Sequence, residues 1–175
     1  MISGKWTDGY TQSELDEAQR KFGLIFPPDL VALLRERRPV DGHLWTDEVA
    51  IKLALDWPIE GLLSSIGRGF IWRPEWGEKP ASPDLRKQMA RPFIEHAPKL
   101  IPLVRHQYLP ETPNEEGNPV FSVVASDVIY FGANLADYFE REFTGDYARP
   151  LPDEIKHIPF WSDLVTRNGW TTATI

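Results

Sequence analysis

Sixteen prolines spread over the whole chain set the strongest limit on its fold. Each proline fixes its own φ, removes a backbone donor and breaks a helix interior or a central strand. Long uninterrupted elements are therefore not expected. The expectation is a domain of short helices and strands separated by turns. A length of 175 residues is enough for one core, so residues 1–175 are read as a single domain. Hydrophobic residues at 42% and charged residues at 26% are ordinary globular values.

Helix signals come first along the chain. Thr11-Gln12-Ser13-Glu14 has capping-box form, and Leu15, Ala18 and Phe22 follow at helical spacing before a stop at Gly23. Pro27-Pro28-Asp29 opens a second helix with Leu30, Leu33 and Leu34 inward and Arg35, Arg37 and Arg38 in its last turn. Thr46-Asp47-Glu48 opens a third helix over Val49–Leu55. Pro58 interrupts it, with a further turn or two over Ile59–Ile66. Gly67-Arg68-Gly69 reads as a turn and Phe70–Trp76 as extended. Ser82-Pro83-Asp84 caps a helix to about Ala97 with Leu85, Met89, Phe93 and Ile94 inward.

Strand signals follow. Leu100–Val104, Val120–Val124 and Val128–Phe131 read as strands, the last two as antiparallel neighbours across Ser126-Asp127. Asn134 caps a helix with Leu135, Tyr138, Phe139 and Phe143 inward, and Phe160–Asn168 closes the chain with an amphipathic helix. Helices, then strands, then helices, without βαβ alternation, predict an α+β fold: N-terminal helices packed on a mainly antiparallel sheet.

Cysteine is absent, which excludes disulfides and thiolate zinc sites. Met1–Tyr10 lacks the apolar stretch of a signal peptide, and no run is long enough to span a bilayer, so a cytoplasmic protein without membrane contact is expected. The net charge of −7 is uneven. Arg68–Arg105 has eight Lys/Arg against four Asp/Glu, whereas Glu111–Glu154 has two against ten. An acidic surface repels phosphate backbones and attracts basic proteins, so the expected partner is a protein and not a nucleic acid.

Motifs for chemistry are missing. His43, His96, His106 and His157 have no metal-ligand spacing, Gly67-Arg68-Gly69 lacks the ending of a phosphate loop, and no nucleophile elbow occurs. Glu75 and Glu78 flank Trp76 in a pattern compatible with sugar chemistry, but a solvated loop accounts for it as well. The chain is thus expected to be neither an enzyme nor a holder of a metal or other cofactor. Trp57 and Trp76 are assigned to packing, whereas Trp72 is a candidate partner contact.

Gly23-Leu24-Ile25-Phe26-Pro27-Pro28-Asp29-Leu30, after a capped amphipathic helix, resembles the opening of the SUKH superfamily, which includes Smi/Knr-like cell-wall regulators. Trp57-Pro58-Ile59-Glu60-Gly61-Leu62-Leu63, Trp76-Gly77-Glu78-Lys79-Pro80 and Ala97-Pro98-Lys99-Leu100-Ile101-Pro102 continue the likeness. So do His106-Gln107-Tyr108-Leu109-Pro110, Gly117-Asn118-Pro119-Val120-Phe121, Asp127–Gly132 and Asn134–Tyr138, so that matches fall over about residues 11–143. Ser64-Ser65 stands where the pattern has Phe-Asp. The resemblance implies a SUKH-like sheet with more strands than periodicity reveals and no catalytic residues. It also implies an immunity-type role, in which the domain occludes a secreted toxin, often a nuclease. A housekeeping scaffold of the Smi/Knr type is the alternative, and a carbohydrate or small-molecule binder using the Trp-rich loop is another. With a basic toxin as partner, the candidate contacts are Trp72, Glu111, Glu115, Glu116, Asp137, Glu140 and Asp146. The sequence leaves the oligomeric state open.

Overall fold

Thr11 starts the first helix as its capping box requires. In the computed structural model, which describes residues 6–167, the Glu14 amide donates to the Thr11 hydroxyl at 3.3 Å. The Glu14 carboxylate accepts the Thr11 amide at 2.7 Å. This helix, α1 (Gln12–Phe22), ends on Gly23 in the left-handed region, with φ of 61°. A short strand, β1 (Trp6–Asp8), precedes it, and α2 (Pro28–Glu36) follows. Arg37 and Arg38 do not extend α2. They form β2 (Arg37–Pro39), antiparallel to β1 with Trp6 opposite Pro39. Pro39 disfavours helical φ and ψ at Arg38, and pairing with β1 satisfies the released backbone.

The third helix runs straight through its proline. α3 spans Glu48–Arg68, 21 residues, with Pro58 inside, where the sequence predicts a break. Proline at 58 leaves the Ala54 carbonyl without its usual amide donor. The buried Tyr108 hydroxyl, from the sheet, donates to that carbonyl at 3.0 Å. The Gly67-Arg68 stretch expected as a turn is the end of the helix, and Gly69 caps it in the left-handed region, φ 81°.

Beyond α3, Phe70–Trp76 is not a strand: it ends in a single 3₁₀ turn, Pro74–Trp76. α4 (Pro83–Glu95) starts at Ser82 as expected, yet of the four side chains predicted inward only Ile94 is buried. Ala90 and Ile94 are buried, whereas Leu85, Met89 and Phe93 face outward. The side turned to α3 carries Arg86 instead. Its guanidinium donates to the carbonyls of Ile66, Gly67, Pro80 and Ala81 at 2.6–3.2 Å. It thereby satisfies carbonyls at the end of α3, where the helix dipole favours a cation.

Four antiparallel strands form the main sheet: β3 (Leu100–Val104), β4 (Gln107–Pro110), β5 (Val120–Val124) and β6 (Asp127–Gly132), in that spatial order. β4 is absent from the sequence expectation. All four of its residues are buried, so no polar alternation marks it. Its neighbours explain this. Leu109 packs with α1, α2 and α5 (Leu135–Thr144), while Tyr108 packs with the second half of α3, α4 and α6 (Trp161–Arg167). The sheet is covered on both faces, and each face has its own apolar cluster. α5 begins at Asn134 as predicted, with Leu135, Tyr138 and Phe139 buried. Phe143 is 39% exposed at the rim, stacked on Phe139 and edge-on to Trp6. The chain is one α+β assembly among the described residues. Asn168, expected in the last helix, lies outside them.

Candidate protein interface

The acidic residues expected to meet a partner are mostly engaged within the chain. Glu111 accepts the Ile25 amide at 3.1 Å and so braces the α1–α2 connection. Glu115 pairs with Lys156 at 2.8 Å, and the same ammonium donates to the Glu116 carbonyl, leaving the Glu116 carboxylate exposed. On α5, Asp137 accepts from Arg141, from Arg149 and from the Ala133 amide. Glu140 pairs with Arg149 at 3.1 Å, and Asp146 accepts the Arg149 amide. Burial pushes the Asp137 carboxyl up, but the hydrogen bonds from Arg141 and Ala133 and the two arginine charges outweigh it. They hold the group below its ordinary value. Glu111, Glu115, Asp137, Glu140 and Asp146 are therefore structural ties before they are partner contacts. Trp72 is half-buried. Its indole N–H donates to the Gly77 carbonyl at 2.9 Å, and its ring meets Trp76 edge-on at 5.4 Å.

A different surface stands free. Trp57, expected in the core, is 56% exposed on α3. Val49 and Leu53, at 70% and 67% exposure, precede it at four-residue steps. At 100° per residue these three lie on one face of the helix together with Asp56 and Glu60. The opposite stripe, Ile51, Ala54, Pro58, Leu62 and Ile66, fills the core. The β5–β6 turn closes on the helix beside this face: a Cβ on Gly61 would stand 3.1 Å from the Ala125 Cα. A larger residue would push the turn back by a few tenths of an ångström. Gly61 is one helical turn past Trp57, so the β5–β6 turn at Ala125 stands beside this face, with exposed Val124 and Asp127 on either side of it in the hairpin.

Charge on this surface is compensated only at its N-terminal end. At its N-terminal end Glu48 takes both Lys21 and Lys52 at 2.6 Å. Hydrogen bonds from Lys21 and Lys52, with their charges, lower its carboxyl to about 2. The Asp56, Glu60 and Asp127 carboxylates make no hydrogen bond or ion pair among the described residues, and all three residues are exposed. An apolar strip of Val49, Leu53, Trp57 and Val124 is thus bordered by three free carboxylates. Sequence reasoning missed it because Trp57 was assigned to packing. The signal was present: α3 is apolar nearly all round, and such a helix is either fully buried or covered by something else.

Elsewhere the groups of chemical interest are separate. His43 contacts the Arg105 carbonyl, His96 the Pro92 carbonyl and His157 the Asp163 carboxylate. No group of three or more His, Asp or Glu among the described residues is placed to hold a metal ion. Glu75 is paired with Arg73, and Glu78 lies in the exposed loop. A cavity of about 20 Å³ between Leu30, Leu34, Trp45, Leu103 and Phe139 has room for about one water molecule. No helix among the described residues is long and apolar enough to cross a membrane. Comparison of the chain with protein-family models, with curated proteins and with solved structures gives no match.

Proposed function

We propose that this chain is a non-catalytic protein-binding domain that acts by covering a surface of its partner. The observation that carries the reading is the exposed Val49, Leu53 and Trp57 stripe on a helix whose other side already fills the core. Contiguous exposed apolar side chains mark an interaction surface, and the tryptophan among them is the residue type that most often anchors one. The Trp-rich loop supports a sugar-binding reading less well, because Trp76 is buried and Trp72 is tied to Gly77. The SUKH-like motif series favours an immunity-type role: occlusion of a toxic protein encoded nearby.

Co-expression tests this directly. The wild-type chain should restore growth to cells producing the toxin domain encoded beside it, and the two purified proteins should elute as one complex. Absence of both rescue and complex with every toxin domain encoded alongside the gene removes the immunity reading. Turnover of a glycan or nucleotide substrate by the purified chain would refute the non-catalytic one.

A further inference from the structure

Resting on that reading, we infer that α3 and the β5–β6 turn are the docking face, and that the partner presents an apolar centre ringed by Lys and Arg. Three surfaces compete for the role. The acidic face of α5 has its carboxylates taken: Asp137 and Glu140 by Arg141 and Arg149, and Glu142 by burial beside the Tyr147 hydroxyl. A cation arriving there would have to displace arginines already in place. The outer face of α4, with Leu85, Met89 and Phe93, is apolar but carries no acidic group in line with them. The nearby Arg91 and Glu95 pair with each other.

Of these three, the α3 face combines exposed apolar area with carboxylates that have no partner among the described residues. Asp56 and Glu60 border the stripe on its own helix, and Asp127 borders it from the β5–β6 turn. Lys21 and Lys52, at the N-terminal end, are both held by Glu48 at 2.6 Å. Arg68 lies two helical turns beyond Glu60, at the far end of the helix. A partner seated on Trp57 therefore meets negative potential around its rim. Rim charges of this kind steer association and set its salt dependence, while the buried aromatic at the centre sets the dissociation rate. A neutral or acidic partner would leave three carboxylates desolvated without compensation. A second copy of this chain is also disfavoured, because a symmetric pairing of this face brings like charges together.

Two synthetic amphipathic helical peptides of equal length test the partner chemistry, one of Leu and Lys and one of Leu and Glu. Amide shifts of the full-length chain give the readout. The Leu-Lys peptide should move amides within Val49–Glu60 and Val124–Asp127. Its affinity should fall at least about tenfold in Trp57→Ala and in Asp56→Lys/Glu60→Lys. It should also weaken sharply toward about 1 M salt, where the screening length falls to about 3 Å. Equal binding of the Leu-Glu peptide, or shifts centred on Leu85, Met89 and Phe93 or on α5, overturns the inference. So does concentration-dependent dimerisation through α3. Cooperative thermal unfolding of the variants shows that they fold. The same charge-reversed chain separates this inference from the functional reading. If wild type rescues growth in co-expression and Asp56→Lys/Glu60→Lys rescues equally, the docking face is wrong and the binding role stands. If wild type neither rescues nor binds peptide, both fall.

Discussion

α3 and α5 each carry three carboxylates, and the two helices use them in opposite ways. On α5 every one is occupied: Asp137 sits between Arg141 and Arg149, Glu140 meets Arg149, and Glu142 is buried next to Tyr147. On α3 only Glu48 is occupied, while Asp56 and Glu60 face solvent beside Trp57. By composition the second half of the chain is the acidic half. By available charge, α3 in the first half is the more acidic surface. A carboxylate is free to meet a partner only if no cation of its own chain reaches it first, and reach is decided by the fold.

The sharpest test of the contrast is stability. Asp137→Ala leaves the buried Arg141 guanidinium without its carboxylate, at a cost of about 3 kcal/mol. Asp56→Ala or Glu60→Ala should stay within about 0.5 kcal/mol of wild type in urea unfolding. Equal losses on the two helices would erase the distinction. Next in size is Tyr108→Phe, which orphans the Ala54 carbonyl and should cost about 2 kcal/mol. Adding Pro58→Ala supplies the missing amide, so the double variant should recover most of that loss. Additive losses in this double-mutant cycle would show that Tyr108 does not compensate for Pro58.

Acid unfolding reports on the same contrast with a smaller amplitude. The folded-state pKa of Asp137 is depressed, so its contribution is complete above the ordinary aspartate value of 3.8. It disappears as pH falls through the lower folded value. Asp137→Asn should therefore lose stability relative to wild type at neutral pH, and the gap should close in strong acid. A gap that is independent of pH would mean that the carboxylate charge is not what α5 uses. The smallest expected effect is on Trp57→Ala, a large truncation that should lower the unfolding free energy by about 1 kcal/mol, well below the roughly 3–5 kcal/mol of a core tryptophan, because more than half of the side chain faces solvent. A loss as large as that of a core tryptophan would place Trp57 inside and end its candidacy as an anchor.

Much of the fold was legible along the chain, for local reasons. Thr11, Ser82 and Asn134 each accept a backbone amide three residues on, and the helices they start are where short-range capping places them. The β5–β6 hairpin was legible because two β-rich runs are separated only by the short break at Ser126-Asp127. α3 was misread because its continuity depends on Tyr108, 54 residues beyond Ala54. Leu85, Met89 and Phe93 of α4 were misread as inward because a guanidinium with four carbonyl acceptors outweighed three apolar side chains for the inward position. β4 gave no period-two signal because both of its faces are buried.

The candidate site was legible only in its ingredients. An amphiphilic run from Val49 to Glu60 and an aspartate at 127 are visible in the sequence, but nothing local joins them. Gly61 and Ala125 meet although they are far apart along the chain, and Arg149 reaches Asp137 from twelve residues away. The sequence by itself determined the helix starts, the α+β class and the surplus of acid. Tertiary structure alone decided which carboxylates remain free and which tryptophan stays outside, because both depend on distances between residues that the backbone order does not bring together.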